Sequence, residues 1–257
     1  MEQLSVITIC FNNLSEVQAT CISVDSQSQS PYEHWIIDGS TNSEIEEWLQ
    51  KTSQPAYRKW ICESDKGISD AFNKGIQKAG GDIIHLLNAA DTYYSDDVIK
   101  QVMKYFQSNA KVQWLSGNIF MSRGGIWVTV GVPFDQNQLY KGMRSISHPT
   151  WFLRKEVYER VGHFSLEIKI AMDYDLLCRL YKEPYAYLNE TMVRFDDKGI
   201  STTQYLKSLK DNIKVYESYF GFSIKSRFWQ FRLKLIYYLM QSKFGKWLYA
   251  IKVGTNK

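Results

Sequence analysis

The sequence of 257 residues lacks the short motifs that identify several large enzyme classes. No G-x-G-x-x-G follows the first predicted strand and no G-x-x-x-x-G-K-[ST] is present, which argues against a dinucleotide oxidoreductase and a P-loop kinase. There is no C-x-x-C pair, and His34, His85 and His163 have no partner at metal-ligand spacing, so we predict structural roles for them. Internal repeats and low-complexity tracts are also absent.

Cysteine is scarce, and its four positions, Cys10, Cys21, Cys62 and Cys178, lie far apart. Two of them fall in apolar runs, where small buried thiols are common, so we expect reduced, structural thiols in a cytosolic chain. The N-terminus begins with an acidic residue and enters a strand pattern directly, without a basic segment or a cleavable apolar segment. We therefore expect no export.

The net charge is only +4, but it is unevenly distributed. Residues 203–257 carry 11 Lys and Arg against two Asp and Glu, whereas residues 1–202 carry 20 against 25. In the C-terminal part, basic residues interleave with aromatic and aliphatic ones, as in helices that lie on an anionic membrane surface. A helix pair packed on the body with a solvated basic face explains the pattern equally well. The longest apolar run there is too short to span a bilayer, and no nucleic-acid-binding motif accompanies the charge.

Strand and helix patterns alternate along the first part of the chain. The clearest helix places apolar or small residues at i, i+3, i+4, i+7, i+8 and i+11, and ends before a Gly-Gly pair. The predicted strands are 4–11, 34–41, 57–62 and 82–91, and the predicted helices are 17–26, 44–52 and 68–79. This alternation favours a parallel sheet with ligand chemistry at the carboxyl ends of its strands.

After Asp91 the pattern is looser. We predict mixed strands at 113–122 and 124–131, a turn-rich stretch around 133–142, and helical segments near 154–160 and 173–181. No linker marks two independent domains. The predicted fold class is α/β, with a mixed, mostly parallel Rossmann-like sheet flanked by helices and a basic helical extension at the C-terminus.

Carboxylates fall just past predicted strands or at helix starts: Asp38, Asp91 and the pair Asp173 and Asp175. Carboxylates in such places hold a divalent cation, accept a hydrogen bond from a ligand, or act as a general base. A nucleotide phosphate bound at an acidic site needs a metal bridge, because bare carboxylates repel phosphate.

Several motifs occur together in one order and spacing: SVITICFNN, WIIDGST, SDKGISDAFNKGIQKAGGDIIHLLNAAD, HPTWFLRKEVYERVGHF and AMDYDLLCRL. They resemble family 2 glycosyltransferases, inverting enzymes of the GT-A fold that build polysaccharides from nucleotide sugars. Among these, the chain resembles most the bacterial colanic-acid, capsule and O-antigen type with an L-N-A-x-D motif. The resemblance covers roughly residues 4–200. It implies a GT-A domain at 1–202, with a nucleotide-binding half (1–95) and an acceptor-binding half (96–202), followed by the extension at 203–257.

The resemblance implies nucleotide contacts for five residues. Ile9 and Phe11 would line the base pocket, Asp38 would accept a hydrogen bond from the base, and Asp65 and Lys66 would border the nucleotide and the donor sugar. Core packing is the structural alternative for Phe11, and an Asx turn at D-G-S-T is the alternative for Asp38.

The family's metal motif, D-x-D, is altered in this chain. Aligned with an L-D-A-D-D version, the chain has Asn88, Ala90 and Asp91, so only the carboxylate that follows the motif remains. Asp91 would hold Mg²⁺ or Mn²⁺, with water and with Asn88 as a second candidate ligand. Alternatively, Lys66, His148 or Arg154 neutralises the leaving diphosphate. A turn or N-cap role is the structural alternative for Asp91.

The segment AMDYDLLCRL matches the family's E-D-x-D region, with Met172 where Glu is frequent. The match implies that Asp173 is the catalytic base, which takes the proton from an acceptor hydroxyl as that oxygen attacks the anomeric carbon with inversion. The structural alternative is a helix cap at Asp173 and an i, i+4 ion pair between Asp175 and Arg179.

His148, Trp151 and Arg154 match a segment on the acceptor and diphosphate side, where Trp151 would offer a face to a sugar or pack in the core. The sequence thus predicts an inverting glycosyltransferase that moves a sugar from a UDP- or GDP-sugar to a lipid-linked glycan in bacterial surface-polysaccharide synthesis. We expect it in the cytoplasm or on the inner face of the cytoplasmic membrane. Its rivals are a catalytically silent nucleotide-sugar-binding module and a sugar-nucleotide pyrophosphorylase, but CFNNLSE lacks the phosphate loop that the latter requires.

Overall fold

The computed structural model describes residues 2–123, 125–195 and 204–242. Within them, the strands are β1 (Leu4–Cys10), β2 (Glu33–Asp38), β3 (Arg58–Cys62), β4 (Ile83–Leu86), β5 (Thr92–Tyr93), β6 (Trp114–Arg123), β7 (Ile126–Val130), β8 (Phe152–Arg154) and β9 (Tyr185–Arg194). The helices are α1 (Leu14–Asp25), α2 (Glu44–Lys51), α3 (Ile68–Lys78), α4 (Val98–Ser108), α5 (Lys155–Val161), α6 (Met172–Leu180), α7 (Tyr205–Phe220) and α8 (Ile224–Gln241). Two 3₁₀ segments span Gln136–Ser145 and His148–Thr150.

The described strands form one sheet in the order β3-β2-β1-β4-β8-β6-β9-β5, and β7 pairs with β6. The first four strands in this order are mutually parallel. Strand β8 joins antiparallel to β4 and β6, and β9 returns parallel to β6. The predicted fold class, a mixed α/β sheet flanked by helices, is confirmed, and the four parallel strands come first in the chain.

Helices cover both faces of the parallel part of the sheet, which explains why successive apolar residues of its strands are buried. On β2, Ile37 packs in a cluster with Phe72 and Ile76 of α3, while the adjacent Ile36 packs on the other face with residues of α1 and α2. The helical periodicity read from the sequence of α3 is therefore its buried face, with Ala71 among the buried residues. The carboxyl ends of β1 and β4 are left open between these layers.

The second half of the domain was harder to predict. Strands β6 and β7 and helices α5 and α6 lie where the sequence analysis put them. Helix α4 and strand β9 were not predicted, and the turn-rich stretch contains the longer 3₁₀ segment.

Helices α7 and α8 pack as a pair on the body, against α6 and the longer 3₁₀ segment. The helix-pair alternative for the basic extension thus describes residues 204–242. The rest of the predicted extension, 203 and 243–257, lies outside the described residues. Across the described ranges, no helix has the length and apolar character needed to cross a membrane.

Candidate active site

A cleft of about 640 Å³ opens at the carboxyl ends of β1 and β4, and we call it the strand-end cleft. It brings together five of the residues predicted from the sequence, namely Ile9, Phe11, Asp65, Asn88 and Asp91. Beyond β4 the chain continues beside β1, since the N–H of Ala89 donates to the carbonyl of Ile9. The end of β1 and the N-A-A-D turn therefore form adjoining walls of the cleft.

Phe11 stands at the mouth of this cleft with 58% of its surface exposed. Core packing, the structural alternative for this residue, does not describe it. Its backbone N–H donates to the Asn13 side chain at 2.9 Å, which fixes the loop that follows β1. An exposed aromatic ring next to the partly buried Ile9 is suited to packing against a flat ring of a ligand.

Asp38 ends β2 and forms the Asx turn expected at D-G-S-T, because its Oδ1 accepts from the Ser40 N–H at 2.9 Å. Its side chain is buried beside Cys10, which lines the strand-end cleft, but Asp38 is not itself among the lining residues. Gly39 then lets the Asp65 carboxylate approach, since a Cβ at Gly39 would lie 1.9 Å from Asp65 Oδ2. This glycine positions Asp65 at the cleft.

Lys66 lies next to Asp65 with an exposed side chain, and it is not among the residues that line the strand-end cleft. Its backbone N–H donates to the Asp70 carboxylate at 2.9 Å, and the Gly67 N–H donates to Asp65 at 2.7 Å. These bonds order the loop at the start of α3, and the bond from Gly67 fixes the side chain of Asp65.

The N-A-A-D segment is a tight turn closed by a bond from the Asp91 N–H to the Asn88 carbonyl at 3.0 Å. Its third residue, Ala90, has φ of 81°, a left-handed conformation that favours Gly or Asn. Such strain persists only where surrounding contacts enforce it. Here the Thr20 hydroxyl of α1 donates to the Asp91 carbonyl at 2.8 Å, and the Ala90 N–H donates to the Glu16 carbonyl. Helix α1 thus fixes the turn that presents Asn88 and Asp91.

The charge of the strand-end cleft is negative. Of the described residues that line it, Glu16, Asp65 and Asp91 are acidic and none is basic. In the described ranges no group of three or more His, Cys, Asp or Glu is arranged to hold a metal. The donors that are present nevertheless fit a hard cation: Asn88 Oδ1 is a buried oxygen without a hydrogen-bond partner in the described structure, and Asp91 adds a carboxylate.

A second cavity of about 300 Å³ adjoins the strand-end cleft, and we call it the Asp173 cavity. Its walls include His148 and Asp173, and it shares Ile68, Asn88 and Phe195 with the strand-end cleft. The two spaces therefore meet at a common wall beside the N-A-A-D turn.

Asp173 lies in the first turn of α6 with about a third of its side chain exposed. Its Oδ1 lies 3.8 Å from His148 Nδ1 and has no hydrogen-bond partner in the described structure. His148 is itself buried and contacts the ring edges of Phe72 and Trp151. The Asp173 carboxylate thus does not cap the helix through this oxygen, which faces the fixed imidazole of His148.

Asp175 has the structural role that the sequence analysis weighed for it. Its carboxylate accepts from Arg179 at 2.8 Å and from the Tyr219 hydroxyl at 2.7 Å, and it is 4% exposed. Burial is the largest cause that raises the pKa of Tyr219, to about 12, and the bond to Asp175 adds to it. This network ties α7 to α6, directly behind Asp173.

Trp151 and Arg154 line neither the strand-end cleft nor the Asp173 cavity. Trp151 is 2% exposed and packs edge-on against Trp114, so it offers no face to a sugar. Arg154 pairs with Glu2 and donates to the Val112 carbonyl, in a depression at the amino ends of β1 and β4, opposite the cleft. The physical reason is that β8 runs antiparallel to β4 and carries the chain away from the cleft.

Sequence reasoning missed four residues that build the site. Thr20 fixes the N-A-A-D turn, Phe195 lines both spaces, and Ser208 and Asn212 of α7 line the Asp173 cavity. The i, i+4 spacing of Ser208 and Asn212 places them on one helix face, which is a readable signal. Nothing in the sequence singles out Phe195, because only the end of β9 brings it there.

Solved structures show which fold class this architecture defines. Staphylococcus aureus TarS 1-349 in complex with UDP-GlcNAc superposes with a TM-score of 0.62 at 14% identity, over 85% of this chain and 67% of that chain. A mannosyltransferase of Pyrobaculum calidifontis, in complex with GDP-Man and Mn²⁺, gives 0.62 at 16% identity, over 84% and 64%. The longer TarS chain is covered to only 40%. The fold is GT-A.

Sequence comparison gives the family. The profile described as Glycosyl transferase family 2 matches residues 5–162. An uncharacterized glycosyltransferase of Mycobacterium tuberculosis is 30% identical over 203 residues, which cover 77% of each chain. A PGL/p-HBAD biosynthesis glycosyltransferase of Mycobacterium bovis is 24% identical over 210 residues, covering 77% of this chain and 80% of that one. The chain belongs to glycosyltransferase family 2 and is a glycosyltransferase.

Proposed function

We propose that this enzyme transfers a sugar, with inversion, from a nucleoside-diphosphate sugar in the strand-end cleft to a glycan acceptor in the Asp173 cavity. The observation that carries the proposal is the common wall of the two spaces, formed by Ile68, Asn88 and Phe195. A donor sugar held at that wall would lie between its own diphosphate in the strand-end cleft and the acceptor in the Asp173 cavity. Family membership favours this function over a pyrophosphorylase.

On the donor side, the exposed ring of Phe11 and the side chain of Ile9 would hold the base. Asp65, positioned by Gly39, would accept hydrogen bonds from the nucleotide or the sugar. Asp38 would not contact the donor directly; it forms the turn that contains Gly39. UDP-GlcNAc and GDP-Man are the donors seen in the related folds, which supports a UDP- or GDP-sugar here.

A divalent cation is part of the proposal because an acidic cleft repels a diphosphate. Asp91 and Asn88 are the residues that would hold Mg²⁺ or Mn²⁺, with the remaining ligands from water and the donor. When bound, such an ion stabilises charge on the leaving diphosphate. Ala90, between these two residues, has a left-handed backbone and a side chain without a ligand atom.

On the acceptor side, Asp173 would be the general base. Its carboxylate would take the proton of the acceptor hydroxyl while the hydroxyl oxygen bonds to the anomeric carbon and the bond to the diphosphate breaks on the opposite face. A positioned base contributes on the order of 10²- to 10⁴-fold to such a step. His148, 3.8 Å away, would orient the carboxylate.

The acceptor class extends the proposal. The basic charge of residues 203–257 supports a lipid-linked glycan acceptor and a location on the inner face of the cytoplasmic membrane. Surface-polysaccharide synthesis of the colanic-acid, capsule or O-antigen type is the process we propose, because it uses such acceptors.

The test is a panel of UDP- and GDP-sugars, with and without Mn²⁺, scored by thermal stabilisation. A ligand at about a hundred times its Kd raises the free energy of unfolding by about 2.7 kcal/mol, which for a chain of this size is roughly 5–10 °C. We expect stabilisation by one donor in the presence of Mn²⁺, and its loss in Asp91→Asn. Asp96→Asn, an exposed carboxylate five residues further on, is the matched control.

Two results would contradict the proposal. If the donor stabilises the protein equally with and without Mn²⁺, and stabilises Asp91→Asn as much as the wild type, no cation takes part in donor binding. If no nucleotide sugar of the panel stabilises the protein, the strand-end cleft does not bind such a donor. The silent binding module is distinguished by transfer itself, since it binds the donor but releases no nucleoside diphosphate when acceptor is added.

A further inference from the structure

Helix α8 buries its more polar side and exposes its apolar side. The side that faces the body contains Ser226 and Gln230, which are 0% and 2% exposed, together with Leu233. At 3.6 residues per turn, the opposite side carries six large apolar residues within an arc of about 100°. These six, which we call the outer stripe, are Ile224, Phe228, Phe231, Leu235, Tyr238 and Leu239.

The outer stripe is open to solvent. Exposed fractions fall from 72% for Ile224 and 67% for Phe228 to 43% for Leu239. An apolar stripe with helical spacing normally faces a core. A contiguous exposed one marks a surface for a partner, whereas single exposed apolar residues need no explanation.

Basic residues border the outer stripe on both sides. By helical position, Lys225 and Arg232 lie along one border, and Arg227 and Lys234 lie along the other. The helix contains no Asp or Glu. Arg227 pairs with Glu217 of α7 at 2.7 Å, but no carboxylate of the described chain pairs with the other three. The partner must therefore combine an apolar interior with an anionic surface.

We propose that α8 is a membrane-docking helix that lies in the interface of an anionic bilayer. The outer stripe enters the boundary between head groups and acyl chains, and the bordering Lys and Arg side chains reach the lipid phosphates. A second copy of the chain fits this surface poorly, because two facing stripes would bring their basic borders together and like charges repel.

The position of α8 links this surface to the Asp173 cavity. Helix α8 packs on α7, and Ser208 and Asn212 of α7 form part of the wall of that cavity. Docking through the outer stripe would hold the cavity within one helix layer of the bilayer. This consequence rests on the proposed lipid-linked acceptor, whereas the docking itself does not.

The test measures binding of the full chain to vesicles, by flotation, without any substrate. The vesicles are phosphatidylcholine alone or phosphatidylcholine mixed with phosphatidylglycerol. We expect binding to the mixed vesicles, and binding weaker by about tenfold or more in Phe228→Ser/Leu235→Ser, because apolar area drives interfacial insertion. Ile22→Ser is the matched control, because Ile22 of α1 is 68% exposed and lies outside the outer stripe.

A second pair of variants tests the charge. Lys225→Gln/Lys234→Gln should weaken binding to the anionic vesicles and leave the weak binding to neutral vesicles unchanged. Lys104→Gln, on the exposed side of α4, should change neither.

Three outcomes would overturn the docking proposal. They are no binding of the wild type to anionic vesicles, equal binding by Phe228→Ser/Leu235→Ser, and a wild-type dimer in sedimentation that this double variant dissociates. Thermal stabilisation by the donor should be unchanged in every α8 variant, which confirms that they are folded. Vesicle binding without donor binding would defeat the proposed function and leave the docking intact.

Discussion

Replacing Asp173 by Asn should abolish most of the transfer rate while leaving the fold and the donor site unchanged. The substitution keeps the size of the side chain and exchanges an oxygen for an NH₂ group that cannot accept a proton. Asp173 Oδ1 has no hydrogen-bond partner in the described structure, and the side chain is about one third exposed. Because the substitution breaks no hydrogen bond of Oδ1, we expect a loss of about 1 kcal/mol or less in the free energy of unfolding.

The expected effect on the rate follows from the loss of a positioned base, roughly 10²- to 10⁴-fold in kcat, or about 3–5 kcal/mol of the activation barrier. The donor Kd should not change, because Asp173 lines the cavity on the acceptor side of the common wall. The assay is release of nucleoside diphosphate from the donor with a membrane lipid extract as acceptor, alongside calorimetric titration of the donor.

Asp175→Asn is the matched control, two residues further along the same helix. It breaks a buried ion pair with Arg179 and a bond from Tyr219, which should cost about 3–5 kcal/mol of stability. Its kcat per folded molecule should fall much less than that of Asp173→Asn, because Asp175 does not line the Asp173 cavity. The reasoning is refuted if Asp173→Asn keeps its rate within about tenfold, below the usual contribution of a base, or if its donor affinity falls in parallel.

Three further substitutions or conditions test the site and the core. Ala90→Asp restores a carboxylate of D-x-D in a left-handed position that Asp tolerates. It should lower the Mn²⁺ concentration for half-maximal donor binding by roughly an order of magnitude, since ligand charge tunes affinity. An unchanged Mn²⁺ titration would place the cation elsewhere. Gly39→Ala must displace the Asp65 carboxylate and should weaken donor binding by roughly tenfold or more, the worth of a charged hydrogen bond. The double variant Gly39→Ala/Asp65→Asn should bind no worse than Asp65→Asn, and a fully additive loss would contradict the shared cause. Burial lowers the pKa of His85 from 6.5 to about 3, so the unfolded chain takes up a proton that the folded chain does not. The contribution of His85 to the free energy of unfolding should thus be intact above about pH 6.5 and lower by roughly 2 kcal/mol near pH 5. His34, whose pKa burial also lowers well below 6.5, adds a loss in the same direction. Urea unfolding curves that coincide at the two pH values would refute buried, neutral imidazoles.

The parallel half of the fold was predictable because its strands are buried on both faces. β1 (LSVITIC) and β2 (EHWIID) are rich in β-branched and large apolar residues, and α3 has a regular apolar face, so pattern alone locates them. Strand β9 reads YAYLNETMVR, in which polar residues interrupt the apolar ones, and only its pairing with β6 makes it a strand. Helix α4 did carry a readable signal in Val98, Val102 and Phe106, which the sequence analysis overlooked.

The site shows a similar division. Phe11 directly follows β1, and Asp91 lies in the turn beyond β4; both line the strand-end cleft, because the carboxyl ends of neighbouring strands meet. Arg154 was assigned to the site because it is only six residues from His148. Strand β8 separates the two residues, since it runs antiparallel to β4 and ends at the opposite end of the sheet from the cleft. The left-handed backbone of Ala90 has no sequence signature, since alanine gives no hint of it.

The Ser208–Asn212 wall changes how this protein should be shortened. The C-terminal helices resemble a detachable anchor in charge and composition, yet α7 closes one side of the Asp173 cavity and is tied to α6 through Tyr219 and Asp175. A chain cut before Tyr205 would lose part of the wall of the Asp173 cavity together with the proposed membrane-docking helix. Soluble protein for crystallisation or screening is better obtained by polar substitutions along the outer stripe, with both helices retained.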